Sequence, residues 1–196
     1  MLWFTVVNTH HVCMTGEPTK SILVRAPPVT LQKRSLNSDI KHIVPVTWHV
    51  VHDNEFHKLT QNTVVHQINM LNEAYNKTTI FFQLKELNYI NNKKIVHLEC
   101  CETPQANQLK TNYRKGGKET LNIFSADSGY HNYFLNAWKS KKSSVSWSTF
   151  PDSPLGLDGV VVSTDRLSYD KTVPTTLAHE IGHWFGLLHT FRVIFY

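Results

Sequence analysis

The segment TLAHEIGHWFGLLHT, residues 176–190, restricts the fold of this chain more than any other stretch of it. His179 and His183 are four residues apart, so on an α-helix their side chains project from nearly the same face. Gly186 can adopt the positive φ at which a helix ends in a sharp turn, and His189 follows three residues later. The spacing therefore predicts a helix, a tight turn and three imidazoles directed at one point.

Three converging imidazoles are a typical ligand set for a catalytic zinc ion, which keeps a fourth position open for water. Glu180 follows the first histidine and points away from the ligand direction, so its carboxylate is placed to act as general base toward that water. The pattern predicts amide hydrolysis without a covalent intermediate, with Zn²⁺ held by His179, His183 and His189. His49, His52 and His66 lack this spacing, and we expect them to be ordinary exposed or hydrogen-bonded histidines.

The rest of the chain predicts one mixed α/β domain preceded by a leader. Residues 1–40 contain several prolines and no sustained hydrophobic period, so we interpret them as a leader or pro-segment and place the folded domain at 41–196. Strands are predicted from runs of β-branched and aromatic residues, and helices from apolar spacings of three and four. The predicted strands are Ile43–Val51, Ile80–Ile90, Thr120–Phe124 and Asp158–Ser163, with helices beginning near Thr63 and Pro174.

Charge and hydropathy exclude two classes of protein. The net charge is +5, but the basic residues are scattered and form no stripe interleaved with aromatics, so nucleic-acid binding is not expected. No apolar run approaches the roughly eighteen residues that a transmembrane helix needs. The opening MLWFTVV is short and lacks a basic region, which makes it a weak signal peptide. The only N-glycosylation sequon is Asn76, Lys77, Thr78, which supports secretion only slightly because such triplets are common.

Three cysteines, Cys13, Cys100 and Cys101, cannot all pair within the chain. At least one is therefore a free thiol, a metal ligand or half of an intermolecular disulfide. A thiolate is a good zinc ligand and would displace the catalytic water.

The motif HEIGHWFGLLHTF resembles the active-site helix of the pappalysin family, M43, of metzincin metalloproteases, particularly the secreted fungal and bacterial enzymes. Upstream segments appear in the order and approximate spacing of those catalytic domains, so the resemblance covers about residues 41–192. These segments are IVPVTWHVVHD, QINMLNEAY, YRKGG with TLNIF, SWSTFP and LDGVVVS.

The resemblance implies the metzincin upper subdomain, a twisted mixed sheet with an active-site helix, in a secreted protease that acts on proteins or peptides. An edge strand near SWSTFP would pair antiparallel with an extended substrate, although Ser146 stands where the family commonly has glycine before the aromatic residue. The family's latency cysteine usually lies in a Cys-Gly-Thr stretch. Cys13, Met14 and Thr15 are similar without the glycine, so Cys13 is either a latency ligand or an incidental thiol or disulfide partner.

The resemblance also implies a methionine-containing turn and a lower subdomain well beyond His189, whereas Tyr196 ends the sequence seven residues later. We therefore expect the upper half alone. The alternative to a zinc endopeptidase is a catalytically inert zinc-binding fragment. Cleavage preference, structural calcium and oligomeric state are not predicted from these residues.

Overall fold

The computed structural model describes residues 12–13, 15, 41–53, 59–98, 103–130, 143–169 and 175–189. These form a mixed sheet with helices on its faces. The strands are β1 Val12–Cys13, β2 His42–His52, β3 Ile80–Asn91, β4 His97–Leu98, β5 Leu121–Tyr130, β6 Ser143–Ser148 and β7 Val160–Ser163. The helices are α1 Gln61–Ala74, α2 Pro104–Tyr113, α3 Thr164–Tyr169 and α4 Thr175–Trp184, with a 3₁₀ turn at Leu155–Leu157.

The strand order across the sheet is β1-β6-β7-β5-β2-β3, and β4 pairs with β5 outside this path. Strands β2, β3, β5 and β7 are parallel to one another, whereas β6 runs antiparallel to β7 and to the end of β5. β1 lies along the outer edge of β6 and runs parallel to it. The sheet therefore has β3 at one edge and the β6–β1 pair at the other.

Alternation along β2 builds two hydrophobic clusters, one on each face of the sheet. Val46, Trp48 and Val50 belong to the cluster that also contains the buried residues of α1 and α4. Val51 belongs to the other cluster, together with Leu109 of α2. Because both faces are covered by helices, β2 is buried from Val46 to His52 and β7 along its whole length, as is typical of parallel strands.

Helix α1 shows how the sequence specifies its start and its buried face. Thr60 is the N-cap, and its hydroxyl oxygen accepts a hydrogen bond from the amide of Thr63 at 3.2 Å. Val64, Ile68 and Leu71 are buried, as the predicted stripe requires. The chain leaves the helix at Tyr75, whose ring packs against Phe82 of β3.

The predicted mixed α/β fold class, with its twisted sheet and active-site helix, is confirmed. The structure adds α2 and α3, which the apolar periodicity did not indicate, and extends β5 to Tyr130. Pro174, Cys100, Cys101 and most of the predicted leader lie outside the described residues. None of the helices in the described ranges has the length and apolar character needed to cross a bilayer.

Candidate active site

Helix α4 is fixed against the sheet by buried contacts on several sides. Ile181 is fully buried in the core, and the Tyr75 hydroxyl donates a hydrogen bond to the Ala178 carbonyl at 3.1 Å. Burial raises the pKa of Tyr75 to about 12, so this hydroxyl stays protonated and keeps donating at neutral pH. These contacts hold the helix in one rotation about its axis.

The helix ends in a Schellman motif centred on Gly186. Its φ is +90°, its amide bonds the His183 carbonyl at 2.7 Å, and the Leu187 amide bonds the Gly182 carbonyl at 2.9 Å. The chain thereby reverses at Gly186, as the sequence predicts. The reversal brings His189 back alongside the helix.

The three predicted ligands meet at one point. The Nε2 atoms of His179, His183 and His189 lie 3.1 Å from one another. Three nitrogens bound by one tetrahedral zinc ion at ~2.0–2.1 Å would be separated by about 3.3 Å, so the spacing fits such an ion. This trio is the one group of metal-ligating side chains that the described residues bring together in this way.

A backbone contact orients the middle imidazole. The Nδ1 atom of His183 lies 2.7 Å from the Leu187 carbonyl, which can only accept a hydrogen bond. Nδ1 therefore carries the proton, and the Nε2 lone pair is left toward the other two histidines. The ring of Phe150 packs edge-on against His183, with centroids 5.7 Å apart.

The segment around Thr15 reaches the predicted general base. Glu180 is fully buried, and its Oε2 accepts a hydrogen bond from the Thr15 hydroxyl at 2.8 Å. The same hydroxyl oxygen accepts a hydrogen bond from the Ser148 amide at 3.0 Å. Cys13, in β1, is in register with Ser146 of β6. A short part of the predicted leader therefore lies across the end of β6, beside Glu180.

Asp158 is a residue of this region that sequence reasoning missed. Its carboxylate is 1% exposed and accepts hydrogen bonds from the Trp184 indole at 3.2 and 3.3 Å. The Thr149 hydroxyl lies 3.3 Å from the same carboxylate. Asp158 thus connects the end of α4 to the segment after β6. The available signal was a carboxylate and a glycine before the apolar run Val160–Val162, and a carboxylate in that position is by default interpreted as a solvated turn residue.

The histidines predicted to have ordinary roles are away from the trio. His49 is fully buried, pairs with Asn122 Oδ1 at 3.1 Å and stacks on Phe124 at 4.5 Å. Burial lowers its pKa to about 4. His52 packs edge-on against Tyr89, and His66 is exposed on α1.

Comparison with known proteins gives relatives of one kind. An extracellular metalloprotease of Verticillium alfalfae is 29% identical over 92% of this chain, and one of Aspergillus fumigatus is 26% identical over 96%. This chain spans 65% of the length of the first and 68% of the second. Among solved structures, a mirolysin complex aligns with a TM-score of 0.52 and 19% identity, covering 74% of this chain and 63% of that one. Tannerella forsythia promirolysin gives 0.50 and 18%, covering 74% and 56%.

The structural likeness supports the fold, and the family assignment comes from the sequence. The family model Reprolysin_5, described as metallo-peptidase family M12, matches residues 43–193. That range includes the described sheet except β1 and the first residue of β2, and all three histidines of the trio. The chain therefore belongs to this metallopeptidase family and is metzincin-type.

Proposed function

We propose that this chain carries the site of a zinc-dependent endopeptidase, with His179, His183 and His189 as ligands and Glu180 as general base. The observation that carries the proposal is the convergence of three Nε2 atoms, one of them fixed by a backbone carbonyl through its other ring nitrogen. All three ligand atoms are nitrogens, a set that suits zinc.

Zn²⁺, when bound, would supply Lewis-acid polarisation of the scissile carbonyl and lower the pKa of water at that position. Glu180 would take the proton from the attacking water and deliver it to the leaving amine. Its burial keeps the carboxylate away from bulk water and from competing cations. The Schellman turn would hold His189 in place during this exchange.

The substrate in this proposal is an extended peptide or protein segment paired antiparallel with β6. An edge strand offers backbone N–H and C=O groups that bind a peptide with little sequence preference. In the present structure β1 occupies this edge in the parallel direction. Because β1 runs parallel to β6, its carbonyl groups do not lie where those of an antiparallel substrate would. A chain in which β1 covers this edge is therefore compatible with a latent form.

We further propose that Cys13 is a latency ligand, one of the roles that the resemblance to pappalysins leaves open for it. The support is positional: the backbone of Cys13 pairs with β6, and Thr15, two residues on, contacts Glu180. The pappalysin subgroup itself rests on the sequence motifs. The names of the fungal relatives support an extracellular location for this protein.

The test uses zinc stoichiometry and peptide hydrolysis together. We expect one zinc per chain, lost on His183→Ala. Zinc-dependent cleavage of an unfolded protein is expected once residues 1–40 are removed and a related lower subdomain is added, and Glu180→Ala should abolish that cleavage while retaining zinc. Full zinc stoichiometry in His183→Ala would refute the ligand assignment. Full zinc loading without any cleavage, after removal of residues 1–40, would favour the inert zinc-binding alternative.

A further inference from the structure

The turn between α1 and β3 carries the chain's one glycosylation sequon, and the structure shows how it is presented. Asn76, Lys77 and Thr78 follow α1 in a turn, with Asn76 and Lys77 exposed. The Thr78 hydroxyl donates to the Tyr75 carbonyl at 2.8 Å and accepts from the Ile80 amide at 3.1 Å. These bonds fix the turn and leave the Asn76 amide at the surface.

The turn opens onto a shallow groove of about 330 Å³ with an aromatic side and a polar rim. Phe81, which is 40% exposed, provides the aromatic surface, and Lys41, Asn69, Glu73 and Thr79 contribute donors and acceptors. Such a groove suits a sugar, because a pyranose has one apolar C–H face and hydroxyls around its rim. Ile43, the register partner of Phe81, is 59% exposed, so an apolar patch adjoins the groove.

We propose that Asn76 carries an N-linked glycan whose first N-acetylglucosamine lies in this groove against Phe81. The inference rests on the extracellular location given above. In the transfer, Asn76 Nδ2 gives up one hydrogen and bonds to C1 of the sugar, while the lipid pyrophosphate that carried the oligosaccharide leaves. One N–H remains on Nδ2, enough to keep the hydrogen bond that Asn76 donates to Glu73 Oε1 at 2.6 Å.

A glycan on Asn76 would stand next to the start of an edge strand. The sequon leads directly into β3, which is the edge strand opposite to the β6–β1 pair. A long edge strand with exposed apolar residues invites pairing with another chain, and a bulky hydrophilic group at its start opposes that. In the strand order, β6, the proposed substrate strand, lies on the other side of the sheet from β3.

Occupancy is tested on the 196-residue chain directed into the secretory pathway of a eukaryotic host. Peptide N-glycosidase should reduce the intact mass by one glycan and convert Asn76 to aspartate, as read by peptide mass spectrometry. Asn76→Gln should lack the glycan, and Thr78→Ser, which keeps both the sequon and the hydroxyl, should retain it. An unmodified wild-type chain from that host overturns the proposal. Zinc stoichiometry measured on the same samples reports separately on the proposed function and should be equal in all of them.

Placement in the groove is tested by thermal unfolding. The glycosylated chain should have a higher Tm than the same chain made in a bacterial host that adds no N-glycan, and the difference should largely vanish in Phe81→Ala. A difference of the same size in Phe81→Ala, or none in the wild type, would overturn the groove placement while the occupancy result stood.

Discussion

Arg114 and Asp158 form a buried ion pair, with Nη2 and Oδ2 3.3 Å apart and side chains 4% and 1% exposed. Arg114 also donates to the Lys115 carbonyl at 3.1 Å and to the Gly117 carbonyl at 2.6 Å, so it organises the loop before β5. Through Asp158 the loop is joined to Trp184, the residue after His183. The end of the histidine helix is thus tied to the sheet by a charge that is itself paired.

Asp158→Asn should lower the free energy of unfolding by about 3 kcal/mol, because it leaves the buried Arg114 without a counter-charge. Chemical denaturation measures this. Glu86→Gln is the matched control, since Glu86 pairs with Lys115 at the exposed surface. Glu86→Gln should leave the midpoint of the denaturation curve nearly unchanged. If Asp158→Asn has an equally small effect, the role given to Asp158 is wrong.

Gly186→Ala should destabilise the chain by roughly 1–2 kcal/mol, because its φ of +90° is costly for a residue with a Cβ. It should also weaken zinc binding, since the turn returns His189 to the other two ligands. Gly182→Ala is the matched comparison in the same helix. A Cβ there would meet Leu187 at 3.5 Å, an ordinary contact, so that variant should be neutral or stabilising. Isothermal titration with zinc and denaturant unfolding of both variants would test this, and equal zinc affinity in the two would count against it.

Because His49 is buried in its neutral form, the folded chain should lose stability at mildly acidic pH. Its pKa in the folded chain is about 4, below the ordinary value of 6.5, so the unfolded chain binds more protons between these values. The contribution of neutral His49 to the free energy of unfolding is fully present above about pH 6.5 and decreases as pH falls toward 4. His49→Gln should flatten the pH dependence of the unfolding free energy in this window, whereas His42→Gln, at an exposed position of the same strand, should not. Identical pH profiles for wild type and His49→Gln would refute this.

Thr15→Val should release β1 from β6 more often, because Glu180 loses a hydrogen bond to its charged form. Bonds of this class contribute ~1.5–3 kcal/mol, so limited proteolysis of the leader should be about tenfold faster or more. Thr15→Ser, which keeps the hydroxyl, should behave like wild type. Equal cleavage of all three would show that the contact does not hold the segment.

A paired measurement addresses Cys13. Cys13→Ala should keep full zinc stoichiometry while X-ray absorption at the metal shows sulfur only in the wild type. A wild-type first shell without sulfur would exclude the latency ligand.

The elements predicted from sequence are those whose signals are local. β2 and β3 are runs of β-branched and aromatic residues, and α1 has an apolar stripe, so periodicity found them. Helix α2 is too polar for that, and its signals were the Thr103 cap and Pro104 at the first turn. The contact of Thr15 with Glu180 joins residues 165 positions apart, and the pairing of Arg114 with Asp158 depends on the sheet bringing two loops together. Neither leaves a pattern in a single sequence.

All three imidazoles come from one helix and the turn that ends it, whereas Glu180 is buried by the sheet around it. The three proposed ligands lie within residues 179–189, so we expect the unfolded chain, which lacks the turn at Gly186, to bind zinc more weakly than the folded chain but still measurably. Metal that binds both states stabilises the fold by less than its affinity for the native site alone would give. Zinc titration should consequently raise the unfolding temperature only modestly, and retention of metal is a poor reporter of an intact sheet in this protein.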